Sequence, residues 1–227
     1  VFAPTDFFDL DKAPFPELYH GITFVWEAIP RIAQTIEDNL EPGIHHDAHV
    51  SPGAFVGQQV QIGPGTTVEH GAVILGPAII GADCQIRAGA YIRKDVIVGD
   101  GSVAGNSCEF KNCVLHTKAN VPHFAYVGDS LLGYKAHLGA GVKISNVKLT
   151  WTTVSVKGPQ GPIDTGLIKF GAVLGDHTDI GCNSVLNPGT MIGPQSIVYP
   201  NSSWRGTLPP KHIAKLRQSF ETVERKD

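Results

Sequence analysis

From Ile44 onward one position in six is a branched apolar residue: Ile44, Val50, Val56, Ile62, Val68, Ile74, Ile80, Ile86, Ile92 and Val98, followed in step by Ala104 and Phe110. An amphipathic helix repeats every ~3.6 residues and a half-buried strand every ~2, so neither produces this step. The residue four places further on is small or β-branched (Ala48, Ala54, Val60, Thr66, Ala72, Ala78, Cys84, Ala90, Val96, Ser102, Cys108). Glycine often follows the apolar residue directly, as at Gly57, Gly63, Gly81, Gly99, Gly139 and Gly193. A solenoid explains all three features: each short strand turns one apolar side chain inward, and each tight corner admits only a small one. Three such units close a triangular coil, and coils stack about 4.8 Å apart. The step returns at Tyr126, Leu132, Leu138 and Ile144, and again at Leu174, Ile180, Leu186, Ile192 and Val198. The expected architecture is an all-β parallel β-helix over residues 44–201, with loop insertions at 116–125 and 150–168. The second of these, Thr150–Ile168, alternates Thr and Val before a Gly-Pro turn and reads as a projecting hairpin.

The flanks are of a different character. Residues 1–43 hold an aromatic, Pro-broken arm (Phe2, Phe7, Phe8, Phe15, Tyr19) that needs a surface to pack on. A helix is expected over Thr23–Asn39, with Ile29, Ile32, Ile36 and Leu40 on one face. Residues 202–227 are expected to form a C-terminal helix opened by Pro209-Pro210, with Ile213, Leu216, Phe220 and Val223 as its stripe and Lys211, Lys215, Arg217, Arg225 and Lys226 opposite. Eighteen Lys and Arg against 21 Asp and Glu, a net charge of −3, argue against a nucleic-acid partner. No apolar run approaches the ~18 residues of a membrane span, so no membrane partner is expected. The four cysteines have no pairing-like spacing and no CxxC, which points to free thiols and a cytoplasmic setting. Cys84 and Cys108 fall on the small corner position and read as packing residues. The Gly-rich stretch at 62–77 has no Gly-Lys-Ser/Thr and reads as repeat punctuation rather than a phosphate loop. Open-ended triangular prisms associate through their faces, and a homotrimer with sites between neighbouring prisms is the expected assembly.

The densest set of chemistry-bearing residues lies around the first interruption: Gly105-Asn106, Glu109, Lys111, Pro122-His123, Tyr126-Val127-Gly128-Asp129 and Asn146. Lys111 and His123 are twelve residues apart, His123 and Tyr126 three, and Tyr126 and Asn146 twenty. Over roughly residues 87–200 this resembles the C-terminal acetyltransferase domain of the bacterial bifunctional enzyme that makes UDP-N-acetylglucosamine, a member of the hexapeptide-repeat transferases. The resemblance implies a left-handed β-helix and N-acetylation of an amino-sugar phosphate such as glucosamine-1-phosphate by acetyl-CoA, with no metal required. Carried over by motif, it implies His123 as the general base, Lys111 and Arg93 on the sugar phosphate, Tyr126 and Asn146 on the sugar, and Lys169 of the Lys169-Phe170 pair at the substrate. His137 stands where the family has an Asn that contacts the sugar, and Cys182 where it has a Ser near acetyl-CoA. The family's short turn after Asn146 is replaced by Val147-Lys148-Leu149 and the long insertion. Nothing in these 227 residues corresponds to the uridylyltransferase half.

The chemistry suits these residue types. Deprotonating a sugar amine near neutral pH calls for a base such as His, whose unperturbed pKa lies there. Backbone N–H groups at a broken coil could hold the oxyanion. Arg93 and Lys111 are eighteen residues, one coil, apart, so two cations would project from the same edge toward a phosphate. Tyr126 falls on the six-residue step and so has an inward packing role as its other reading. Three further functions compete. A zinc hydratase like the γ-carbonic anhydrases wants two His five residues apart, whereas His116 and His123 are seven apart and His45-His46-His49 sits on the first coil. A non-catalytic, trimerising or regulatory β-helix, as found on sugar nucleotidyltransferases, is the second. The third is an acyltransferase acting on a nucleotide-activated amino sugar.

Overall fold

The computed structural model describes residues 1–217 and 219–225. Its inward residues stack in three parallel columns. Ile44, Ile62, Ile80 and Val98 are Cα partners in one. Val50, Val68, Ile86 and Ala104 form the second, and Val56, Ile74, Ile92 and Phe110 the third. From Ile62 to Phe110 every one of these side chains is at most 1% exposed. The corner residues Ala72, Ala78, Cys84, Ala90, Val96, Ser102 and Cys108 are equally closed off. This is the parallel β-helix that the repeat requires, of the left-handed kind that the resemblance implies. Glycine after the inward residue answers to crowding: a Cβ on Gly99 would lie 2.7 Å from the backbone N of Thr117 on the next coil.

The first expected insertion is not an excursion. Leu115 pairs with Val98, Val121 with Ala104, and Val127 with Phe110, each seventeen residues on instead of eighteen. Residues 116–125 are therefore an ordinary stretch of coil, with Asn120–His123 a strand of the second face. One deleted residue per coil breaks a six-residue count made along the chain, but each strand aligns on the coil beneath it, so the solenoid continues. The inward positions become Leu115, Val121, Val127, Leu132, Leu138 and Ile144, all fully buried. Tyr126 consequently faces outward, half-buried, which removes the inward packing role the step suggested for it.

The second insertion does form a hairpin, Ser155–Gly158 pairing antiparallel with Gly161–Asp164. It does not project. Val154 and Val156 are fully buried against the cluster containing Phe170, Val173 and Met191, and Thr207 Oγ1 donates to the Lys157 carbonyl at 3.1 Å.

One outer face carries an unbroken apolar column: Ile79, Ile97, Val114, Leu131, Val173 and Met191, in register from coil to coil. The N-terminal arm lies on it, burying Phe2, Phe7, Phe8, Tyr19, Trp26, Ile29, Ile32 and Ile36 to 4% exposure or less. At about 1.5–3 kcal/mol per large apolar side chain, this second core is a major part of the fold's stabilisation. Polar groups pin the arm as well. Asp176 accepts from the Asp9 and Tyr134 N–H groups at 2.7 Å each and its own N–H donates to the Phe7 carbonyl, while Tyr19 Oη lies 2.6 Å from His116 Nε2. The expected helix Thr23–Asn39 is a 3-10 helix, Val25–Arg31, followed by an α-helix, Ile32–Asn39. Pro30, which cannot donate an N–H inside an α-helix, keeps the first half in the tighter form.

No helix forms in the described part of residues 202–227. Thr207–Leu208 and Ile213–Ala214 add a last coil, stacking on Met191–Ile192 and Ile197–Val198. The open strand edge of the preceding coil supplies partners a helix would forgo: the Ile197 and Tyr199 N–H groups donate to the carbonyls of His212 and Ala214. Leu216, Phe220 and Val223 are left exposed, and the expected Lys226 lies outside the described residues. No helix of the described residues is long and apolar enough to cross a membrane.

Candidate active site

One edge of the prism, where the chain leaves the strands at 109–110 and 126–127 and turns toward the arm-covered face, gathers most of the expected residues. Its centre is Asp129, whose carboxylate is 4% exposed. Lys111 Nζ donates to its two oxygens at 3.1 and 3.3 Å, and Asn112 Nδ2 donates at 2.8 Å. Asn146 Nδ2 donates to Asp129 Oδ2 as well, and lies 3.4 Å from the Tyr126 hydroxyl. Stacking explains the convergence, since Lys111 is the Cα partner of Gly128 on the next coil. Gly128 leaves the space open: a Cβ there would come within 2.6 Å of Tyr126 Oη and 2.8 Å of Asn146 Nδ2. Asn112 and Asp129 both turn the corner with positive φ, +46° and +49°, a conformation that Asn and Asp tolerate better than most side chains.

Arg93 sits on the same edge, one coil before Lys111, and its Nη1 donates to Glu109 Oε1 at 2.9 Å. That bond holds the Arg93 guanidinium above its ordinary pKa. Glu109 stacks between Tyr91 and Tyr126 on the strand face. Burial, and then the charges of Asp129 and Glu109, raise the Tyr126 phenol, so it is present as a hydrogen-bonding hydroxyl. Each cation of the pair is thus matched by a carboxylate. Lys169 is exposed beside Asn146: Val147 and Lys169 form an isolated bridge, and the Phe170 N–H donates to the Asn146 carbonyl.

The remaining expected residues belong elsewhere within one chain. His123 is exposed at the end of its strand, on the corner that opens the Tyr126 face, with its carbonyl held by the Gly141 N–H at 3.0 Å. His137 lies on the second face, its Nδ1 3.3 Å from Asp179 Oδ1. Cys182 is exposed on the corner that follows Asp179–Ile180, whereas Cys84, Cys108 and Cys113 are free and buried. The same face of the prism therefore has His123 at one edge and the Asp129 cluster at the other. Asn112 and the organising role of Asp129 were not read from the sequence. Asp129 belongs to the quoted motif, but nothing in the spacing shows that three donors would converge on it.

His116 is no partner for His123. It is fully buried against Phe8 and Tyr19, and burial lowers its pKa to about 3. Among the described residues His45, His46 and Asp47 bring ligand atoms within 4.8 Å of one another at the start of the first coil.

Repeat and fold define the class: this is a hexapeptide-repeat parallel β-helix, and the chain is similar to proteins named as acetyltransferases. Within that class it resembles the C-terminal β-helix of the bifunctional sugar-1-phosphate transferases. A family model described as the GMPPB C-terminal domain matches residues 74–161. An uncharacterized acetyltransferase, YaiX, of Escherichia coli O6:K15:H31 is 39% identical over 151 residues, 66% of each chain. The bifunctional sugar-1-phosphate nucleotidylyltransferase/acetyltransferase of Sulfurisphaera tokodaii is 34% identical over 96 residues, 42% of this chain and 24% of that protein. The chain thus spans about two thirds of the first relative and about a quarter of the second. Among solved structures, the UDP-N-acetylglucosamine acyltransferase of Francisella novicida aligns at a TM-score of 0.41 and 14% identity, covering 70% of this chain and 59% of that one.

Proposed function

We propose that the chain is an acetyl-CoA-dependent N-acetyltransferase acting on an amino-sugar phosphate such as glucosamine-1-phosphate, working as a homotrimer. The observation that carries the reading is the Asp129 cluster, which fixes Lys111, Asn112, Asn146 and Tyr126 as a polar wall of hydroxyl, amide and ammonium groups. Such a wall suits the hydroxyls of a sugar ring. Lys111 keeps a further N–H direction beyond Asp129, and the Arg93 guanidinium keeps most of its fork beyond Glu109, so both have donors for a phosphate.

His123 is the base. The sugar amine attacks the thioester carbonyl carbon, His123 takes the proton that the nitrogen gives up, and as the C–S bond breaks His123 returns that proton to the sulfur, so coenzyme A leaves as the thiol. The separation of His123 from the Asp129 cluster supports assembly. When two prisms meet side by side, the His123 edge of one copy approaches an edge of its neighbour, and a three-fold arrangement repeats that meeting three times. Lys169 lies at the substrate end of this wall, and His137 with Asp179 and Cys182 flank the His123 edge, where the sugar and the acyl donor would enter.

The test is thiol release from acetyl-CoA with glucosamine-1-phosphate as acceptor, comparing the parent with His123→Ala. Turnover that falls about 100-fold or more in the variant is expected for loss of a general base. No release with any amino-sugar phosphate, or release indifferent to His123, refutes the assignment. Light scattering on the parent checks the trimer.

A further inference from the structure

The 150–168 hairpin walls a second cleft on the molecule. Between it and the last coils lies a cleft of about 370 Å³ whose wall includes Lys148, Ser155, Lys157, Pro188, Gly189 and Arg205. Three of these side chains are cationic, and no Asp or Glu lines the cleft. That is a concentration of positive charge on a chain with a net charge of −3. Asp164, across the hairpin from Ser155, accepts from Thr153 Oγ1 and the Gly166 N–H, each at 3.0 Å, and lies near enough to Lys148 to feel its charge, so Lys157 and Arg205 are the cations on which the site depends.

The cations are set in place by the fold. Lys148 Nζ donates to the Thr153 carbonyl at 2.6 Å. Val156 is fully buried, so strand alternation turns Ser155 and Lys157 outward on either side of it. The Thr207 hydroxyl ties the Lys157 carbonyl to the final coil. Arg205 follows Ser203–Trp204, which stacks on Val185–Leu186, and that strand stacks on Lys143–Ile144, which leads to Asn146. The cleft therefore continues the Asp129 edge, with Arg205 two coils, about 10 Å, beyond the level of Asn146. A sugar held at Asn146 and a phosphate held at Arg205 are within the span of one substrate.

We infer that this cleft is a phosphate-binding site, taking the phosphate-bearing end of a substrate whose reacting end lies at the Asp129 cluster. Coenzyme A, the donor of the proposed reaction, supplies that chemistry through its phosphates, and a nucleotide-activated sugar acceptor would supply it through a diphosphate. The site rests on the proposed function only for its link to turnover, so binding is measured first and without catalysis.

The experiment titrates the full chain with inorganic pyrophosphate, then with coenzyme A, by calorimetry, comparing the parent with Lys157→Gln/Arg205→Gln. Both side chains are exposed, so the parent's melting temperature should be retained. The expected result is pyrophosphate binding by the parent that weakens about tenfold or more when two charge-assisted contacts are lost. No binding by the parent, or equal binding by both proteins, overturns the inference even if acetyl transfer is confirmed. Where the parent turns over, a raised KM for acetyl-CoA in the variant names the donor and a raised KM for the acceptor names the sugar. Pyrophosphate lost with both KM values unmoved overturns the assignment to a substrate. An inert parent whose pyrophosphate and coenzyme A binding both depend on Lys157 and Arg205 would sink the proposed reaction and leave the phosphate site standing.

Discussion

Replacing Asp129 by Asn is an isosteric change with a large consequence. The carboxylate accepts from Lys111, Asn112 and Asn146, and it is 4% exposed beside a Lys111 side chain that is 15% exposed. An amide keeps one acceptor oxygen and presents an NH2 where a second acceptor was needed. The ammonium of Lys111 is left without its counter-charge, and one of the two Asn amides is left facing a donor. Removing one member of a buried pair costs about 3–5 kcal/mol, and the small exposure of Lys111 lets water recover part of it, so the lower end of that range applies. For a chain of this length about 3 kcal/mol corresponds to a fall in melting temperature of roughly 6–12 °C. Differential scanning calorimetry of the parent, Asp129→Asn, Lys111→Met and the double variant measures both the loss and the coupling. The double variant should be more stable than the sum of the singles predicts, by about 1 kcal/mol or more, because Lys111→Met removes the charge that Asp129→Asn alone would strand. Asp129→Asn melting within about 2 °C of the parent, or strictly additive singles, would refute the account of the cluster.

Gly105→Ala should fail to fold or melt far below the parent in a thermal scan, because its Cβ would lie 2.0 Å from the Pro122 carbonyl oxygen on the next coil, where backbone has to give way. Gly128→Ala should fold and show a raised acceptor KM in the thiol-release assay, since its Cβ displaces the Tyr126 hydroxyl and the Asn146 amide. Acid should loosen the arm. His116 is neutral in the fold with its pKa lowered to about 3, so below an unfolded value near 6.5 the unfolded chain takes up a proton that the folded chain refuses, and stability falls as pH drops from about 6.5 toward 3. Asp176, whose pKa burial raises, acts in the opposite sense, and the difference in Trp fluorescence titrations between the parent and His116→Gln isolates the histidine. Iodoacetamide on the native protein should label Cys182 first, by peptide mass spectrometry, because Cys84, Cys108 and Cys113 are buried and burial raises the pKa of each thiol.

The solenoid was legible because its determinants are local and repeated: one inward Ile or Val and one small corner per six residues, with no long-range pairing left to guess. The covered face is written in the sequence too. Ile79, Ile97, Val114, Leu131, Val173 and Met191 are apolar at outward positions where the second face carries Thr67, Gln85, Asn120, His137 and Asp179. Counting sixes back from Leu132 misled, because the step from Val127 to Leu132 is five residues in a coil of seventeen, and this moved the inward role from Val127 to Tyr126. The C-terminal stripe of Ile213, Leu216, Phe220 and Val223 is helical by spacing, but the unpaired edge of the previous coil outcompetes it for Ile213–Ala214. Coil spacing along the sequence put Arg93 and Lys111 on one edge, and the resemblance added Tyr126 and Asn146. Neither could show that a buried carboxylate holds Lys111 and Asn146, since that depends on two corners taking positive φ so that Asn112 and Asp129 meet between coils.

The aromatic arm on the Ile79–Met191 column also limits how copies of this chain can add to one another. A bare triangular prism offers three equivalent walls, and a body with three walls can tile a plane. With one wall sealed from within, two remain, so lateral addition has two valences. A copy added by wall-to-wall contact is then confined to those two walls. A variant that loosens the arm frees the third wall and should be read by light scattering for larger, ragged aggregates as well as for lost stability.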